Sequence, residues 1–241
     1  MTGRFGPDSR GVWCNDSSPG AVARLSRGGF DWVCLDAQHG VYGRSELVEA
    51  ARSYPEEAAE LAVRVAANDF AAIGAALDVG ATTVIVPQVD SPAEAARAVA
   101  ATFYPPRGRR SWGQLVRTWG QPAIEPEPAN ARTTCAVMIE SADALDQVEP
   151  IAAVPGVGCL FVGPYDLSLT LGTTVDAVLD DDSPSSPLAR ITAAAADHGL
   201  FVGAFGGAPA YANRFAARGI TCLVVATDLW VQTAGIAAAL D

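Results

Sequence analysis

The residues of this chain best equipped for chemistry stand where apolar runs stop. In "LDAQHG" the run "WVCL" ends on Asp36, and His39, one of two histidines, follows it. An imidazole in that position is placed to move a proton or to hydrogen-bond a loop. Arg64 lies inside "AVRVA", where a guanidinium needs a partner or an anionic ligand. Gln88 closes "TTVIVPQ", Glu140 closes "TCAVMIE", and Asp166 follows "CLFVGPYD". Glu140 and Asp166 are hard oxygen donors with no cysteine or second histidine beside them. That set suits Mg2+ or Mn2+ with water completing the shell, and Co2+ or Zn2+ are alternatives. In the structural reading, each carboxylate instead pairs with an arginine or caps a helix. With Arg64 facing a metal, a small oxo acid would be chelated through its keto and carboxylate oxygens while the guanidinium polarises the keto oxygen.

Such residues converge only if the elements carrying them share one end of a fold. Short β-branched runs alternate with Ala-rich segments of helical periodicity, the pattern of parallel strands joined by crossover helices. The strand candidates are "GVWCN", "DWVCLD", "LAVRVA", "TTVIVPQV", "TCAVMIE", "CLFVGP", "LFVGAF" and "CLVVATD". Helices are expected over 19–27, 45–52, 69–79, 92–102, 142–153, 187–198, 209–218 and 229–240. Eight such repeats fit a single-domain (β/α)8 barrel, the TIM-barrel architecture, over residues 1–241. In that fold the groups ending the strands face one mouth. No glycine-rich turn follows the first strand as a dinucleotide site requires, and "GVGCLFVG" precedes a strand. The stretch at about 103–133 reads as a long functional loop, and "LDDDSPSSPLAR" as a surface loop.

Composition removes several classes of function. The net charge of -11 excludes a nucleic-acid surface or an anionic membrane face as the default partner. No apolar run is long enough to span a bilayer and no secretory core opens the chain, so a cytoplasmic protein is expected. The five cysteines lack pairing motifs and sit mostly in apolar runs, as reduced core thiols do. All 16 basic residues are arginine, which rules out a lysine Schiff base and a Walker-type phosphate loop. Asn68 or Asp69 reads as a helix cap and His198, before Gly199, as a helix end. Arg107, Arg109 and Arg110 read as solvated or subunit-contact residues, and Trp112 and Trp119 as packing residues.

"DAQHG", "VRV" followed by "ND", "LDVGATTVIVPQV", "YPPRGRR", "MIES" and "FVGPYDLSLTLG", in that order, resemble the HpcH/HpaI family of metal-dependent aldolases. The resemblance runs from about Gly11 to the final helix. It implies a class II pyruvate aldolase that reversibly cleaves a 4-hydroxy-2-oxo acid to pyruvate and an aldehyde. It also implies that Glu140 and Asp166 hold the metal, that His39 is the base, and that Arg64 stabilises the enolate. Asp78, in "LDVG", matches an aspartate that raises the basicity of that histidine across a subunit boundary. Gly163, Pro164, Tyr165 and Asp166 match the segment that holds the pyruvate carboxylate. Family members are typically homohexamers. Met138 departs from the pattern, since many members carry glutamine two residues before the metal-binding glutamate. Two alternatives remain: an enzyme that decarboxylates oxaloacetate or, like macrophomate synthase, adds the enolate to another electrophile, and a barrel that binds a small oxo acid without turnover.

Overall fold

The computed structural model describes residues 5–55 and 58–240. Among these residues eight strands close into one parallel barrel: β1 (Arg10–Cys14), β2 (Trp32–Asp36), β3 (Glu60–Arg64), β4 (Thr83–Val86), β5 (Thr134–Ile139), β6 (Cys159–Val162), β7 (Phe201–Phe205) and β8 (Cys222–Thr227). Each pairs with its neighbour in sequence, and β1 pairs with β8. The expected (β/α)8 barrel is the fold observed.

Period-two alternation along the strands sorts side chains into two cores. Trp13, Trp32, Cys34, Ala62, Ile85, Ala136, Met138, Cys159, Phe161, Cys222 and Val224 fill the barrel interior. Their neighbours in sequence, such as Val12, Val33, Leu35, Val63, Val84, Val137 and Leu160, pack outward against the helices. Gly11 gives Trp32 its space, because a Cβ there would fall 2.3 Å from the indole ring. Phe5 stacks edge-on against Trp32 and Phe201 at 4.9 and 5.7 Å, where those strands begin. The mouth at the strands' carboxyl ends is left for ligands. All five cysteines are free and buried.

Among the described residues the helices number twelve where eight were expected. They are α1 (Pro19–Leu25), α2 (Arg44–Arg52), α3 (Phe70–Asp78), α4 (Pro92–Thr102), α5 (Pro126–Arg132), α6 (Ala142–Asp146), α7 (Val148–Ala152), α8 (Pro164–Thr170), α9 (Val175–Asp180), α10 (Pro187–Asp197), α11 (Pro209–Ala217) and α12 (Asp228–Leu240). The segment 103–133 is therefore not one continuous loop: it carries a 3-10 turn at Leu115–Trp119 and then α5. Prolines hid that helix, yet Pro126 sits in its first turn, where the missing N–H costs nothing. Pro164 begins α8 in the same way. Thr174 caps α9 through the Ala177 N–H. The single helix expected over 142–153 breaks at Gln147 into α6 and α7.

Asp69 caps α3 by accepting from the N–H groups of Ala71 and Ala72. His198 ends α10 ahead of Gly199, whose φ of 67° is left-handed. The acidic stretch behind α9 is pinned rather than loose: Arg214 of α11 pairs with Asp176 and Asp180, and Arg218 pairs with Asp182. No helix among the described residues is long and apolar enough to cross a membrane.

Candidate active site

The alternation that fills the barrel also builds its upper rim. Asp36 continues the inward set of Trp32 and Cys34, Arg64 that of Ala62, Glu140 that of Ala136 and Met138, Gly163 that of Cys159 and Phe161, and Phe205 that of Phe201. Asp36 and Arg64 are direct partners in the β2–β3 register. These residues enclose a cavity of about 270 Å³ at the carboxyl mouth, together with Trp13, Asn15, His39, Met138, Pro164, Tyr165 and Asp166.

Its most buried polar group is Asp36, with no solvent exposure. Arg64 lies side-on against it, Nε to Oδ1 at 2.8 Å and Nη2 to Oδ2 at 2.5 Å. The Trp13 indole N–H donates to Oδ2 at 3.1 Å and the Asn15 amide at 2.9 Å. The backbone N–H groups of Gln38 and His39 donate to Oδ1 at 3.0 and 3.2 Å. Burial pushes the Asp36 carboxyl up, but the Arg64 hydrogen bonds and charge, aided by Trp13 and the His39 N–H, bring it below the ordinary value. Arg64 also lies over the Trp13 ring, 5.1 Å from its centroid. The need for a partner around Arg64 is thus met by Asp36, and the guanidinium edge carrying Nη1 remains unused by that pair.

Glu140 and Asp166 occupy the opposite wall. Glu140 is 4% exposed, and its Oε1 accepts from the Gln88 N–H at 2.7 Å. Gln88 adopts a left-handed φ of 54° to aim that N–H, an arrangement other than Gly or Asn adopts at a cost. The second oxygen, Oε2, is so close to the backbone of Gly163 that a Cβ there would come within 2.6 Å. Burial raises the Glu140 carboxyl above its ordinary value, and the Asp166 charge adds to this against the Gln88 N–H and Arg64. Asp166 lies in the first turn of α8, is exposed, and accepts no hydrogen bond among the described residues. Neither carboxylate is ion-paired with an arginine among the described residues, while Asp166, in the first turn of α8, keeps the helix-start half of the structural reading.

The donor set fits a hard divalent cation. Among the described residues no group of three or more His, Cys, Asp and Glu side chains is arranged to hold a metal. Two carboxylates on one cavity wall, one buried beside a glycine that leaves it room, match an ion that keeps most of its positions for water and substrate oxygens.

His39 lies at the cavity edge and is solvent-exposed. Asp78 is the one site candidate absent from this cavity: it ends α3, which runs back from the carboxyl mouth, and its Oδ1 pairs with Arg110 Nη2 at 3.1 Å. Burial raises its carboxyl, with Arg110 and Arg44 opposing. Arg110 is consequently a buried ion-pair partner rather than a solvated one. Reasoning from the sequence passed over Trp13, Asn15 and Phe205 and gave Asp36 no role. The signal for three of them was present, since Trp13, Asn15 and Phe205 each stand two residues apart from another inward position on their strands.

The profile of the HpcH/HpaI aldolase/citrate lyase family matches residues 9–232. A hydroxypyruvate/pyruvate aldolase of Paraburkholderia phytofirmans is 34% identical over 233 residues, covering 93% of this chain and 89% of the relative. A 5-keto-4-deoxy-D-glucarate aldolase of Shigella boydii is 34% identical, with 92% and 86% covered. The crystal structure of an HpcH/HpaI aldolase/citrate lyase family protein from Burkholderia cenocepacia J2315 superposes with a TM-score of 0.85 at 33% identity, over 98% of this chain and 94% of that one. Sequence and barrel agree along nearly the whole length, and the polar mouth described above lies inside the matched region. The chain belongs to the HpcH/HpaI aldolase/citrate lyase family.

Proposed function

We propose that this protein is a class II pyruvate aldolase, cleaving a 4-hydroxy-2-oxo acid reversibly to pyruvate and an aldehyde. The observation that carries the reading is the shared cavity: Glu140 and Asp166 on one wall, Arg64 held by Asp36 on the other, and His39 at the edge. Glu140 and Asp166 would hold Mg2+ or Mn2+, or Co2+ or Zn2+ in their place. Such a cation supplies Lewis-acid polarisation of the substrate's keto oxygen, the task that a lysine iminium performs elsewhere.

The chain's own groups do the rest. Asp36 fixes the Arg64 guanidinium so that its free edge meets the developing enolate oxygen without reorganising. His39 takes the proton from the 4-hydroxyl in cleavage, and from the pyruvate methyl in the reverse direction. The Gly163, Pro164, Tyr165 and Asp166 turn forms the wall against which the substrate carboxylate rests. Tyr165 and Phe205 stand at the opening.

Asp78 acts on His39 from a neighbouring subunit in this reading. Support comes from its place at the C-terminal end of α3, outside the cavity that His39 lines. A homo-oligomer, a hexamer by family resemblance, is further supported by α12, whose Leu229, Trp230, Ile236 and Leu240 are all exposed. A second copy of the chain is the partner that such a face serves. The five unpaired buried thiols accord with the cytoplasm.

The test is hydrogen–deuterium exchange at the pyruvate methyl, with and without chelator. Exchange that needs a divalent cation and is suppressed in His39→Ala and Glu140→Ala supports the reading. Exchange indifferent to chelation removes it, and no exchange with metal present favours the non-catalytic binding barrel. Met138 in the cavity wall, in place of the glutamine of many relatives, leaves room for a second reading in which oxaloacetate is decarboxylated and its enolate added to another electrophile; oxaloacetate consumption outrunning all retro-aldol turnover would favour it.

A further inference from the structure

Apart from the Tyr165 hydroxyl at the exposed rim, the polar side chains of the cavity have partners or roles, and the rest of its lining is apolar. Asp36, Asn15 and the Trp13 N–H are bound to one another or to Arg64. Under the proposed reaction Glu140 and Asp166 serve the cation, Arg64 the keto oxygen and His39 the proton. The remaining wall runs from Met138, 2% exposed, past Trp13, 1% exposed with Arg64 over its ring, to Phe205 and out to Tyr165, which is 52% exposed. The Trp13 and Phe205 rings meet edge to face at 5.2 Å, and Phe205 and Tyr165 at 6.1 Å. The Met138 methyl begins this strip beside the carboxylates, since it would lie 3.0 Å from a Cβ on Gly163. Arg64 is the single cation among the lining residues, and Asp36 already occupies one edge of it.

We propose that the acceptor half of the site takes an apolar aldehyde, aromatic or aliphatic, ahead of a polyhydroxylated or anionic one. This rests on the aldolase reading above and adds to it the class of the second substrate. In the forward addition the enolate carbon's electron pair forms the new bond to the aldehyde carbon. The carbonyl pair moves to oxygen, which takes a proton, so one pyruvate and one aldehyde give one 4-hydroxy-2-oxo acid with no redox change. An aldehyde substituent lying on Met138, Trp13, Phe205 and Tyr165 gains from leaving water. Hydroxyls or a distal carboxylate placed against Met138, Trp13 and Phe205 would lose hydration and find no free donor on those side chains. An apolar slot discriminates by about 10–200-fold per group that it fills or fails to fill.

The experiment measures aldol addition to pyruvate by the native assembled enzyme supplied with Mn2+. Propanal is compared with glyceraldehyde, butanal with succinic semialdehyde, and benzaldehyde is added to the set. Methyl-proton exchange of pyruvate is followed in the same samples. The expected result is kcat/KM at least about tenfold higher for the apolar member of each pair. Phe205→Ala and Met138→Gln should narrow those ratios about tenfold, mainly through KM for the apolar aldehyde. Comparing ratios between native and variant enzyme cancels the aldehydes' intrinsic reactivity. Tyr165→Ser, at an exposed position, gives the same readout if the buried variants do not fold. Running exchange together with equal or better use of the polar member, or ratios unmoved in all the variants, overturns this inference and leaves the aldolase reading standing. Absence of exchange overturns both.

Discussion

Arg64 and Asp36, neighbours across the β2–β3 register, meet in a side-on pair with N–O distances of 2.8 and 2.5 Å inside the barrel mouth. Burying such a pair costs desolvation of both charges, so its value is not stability alone. Removing one member leaves the other charged and dry. Asp36→Asn should therefore lower stability by about 3–5 kcal/mol in urea unfolding. Arg64→Lys, which cannot reproduce the two-point contact, should retain more of that stability yet lose on the order of 10²–10³-fold in kcat for pyruvate exchange. Equal losses of stability and kcat in both variants would make the pair purely structural.

The same pair gives stability a pH signature. The Asp36 carboxyl lies below its ordinary value of 3.8 in the folded chain, so in the window beneath 3.8 the unfolded chain binds the proton first. Its contribution is complete above that pH and is lost as pH falls through the folded value. Urea midpoints of the native protein should drop on acidification below about pH 4, and Asp36→Asn should show a shallower drop over that range. Parallel profiles would assign acid sensitivity to other carboxylates.

At Gly163 the backbone presses on Glu140, one of the two carboxylates proposed to hold the cation. A methyl there would fall 2.6 Å from Glu140 Oε2 and 2.8 Å from its Cβ, while the backbone φ of -96° suits alanine. Gly163→Ala should fold and displace Glu140, weakening Mn2+ affinity by about 10–100-fold in calorimetric titration. Unchanged affinity would mean that Glu140 Oε2 takes no part in holding the ion.

Asp78 ends α3 and lies outside the cavity that His39 lines, so the proposed action of one on the other would take a neighbouring subunit. Asp78→Asn and His39→Ala should each be nearly inactive in pyruvate exchange. Mixing the two under conditions of subunit exchange should recover activity, since some interfaces then join an intact Asp78 to an intact His39. No recovery, with mixed oligomers demonstrated by mass spectrometry, would confine Asp78 to its ion pair with Arg110.

Local pattern alone specifies the barrel and which end of it carries the polar residues. Eight apolar runs with period-two alternation leave one closed arrangement of strands, and the polar residue that ends a run must then face the carboxyl end. His39, Arg64, Glu140 and Asp166 were legible for that reason, as was the exclusion of lysine chemistry. Helix ends were legible where a side chain fixes them locally, as at Asp69 and Gly199. α5 and α8 were not, because each is only seven residues long, too short to show a helical period, and "PEPANAR" carries a second proline. The assignment of Asp36 to Arg64 rather than to solvent needed the β2–β3 register, a contact between residues 28 positions apart. Likewise Phe205 reaches Trp13, and Gly163 makes room for Glu140, only once the ring of strands has closed. Local pattern sets which face a side chain takes; the distances between faces belong to tertiary packing.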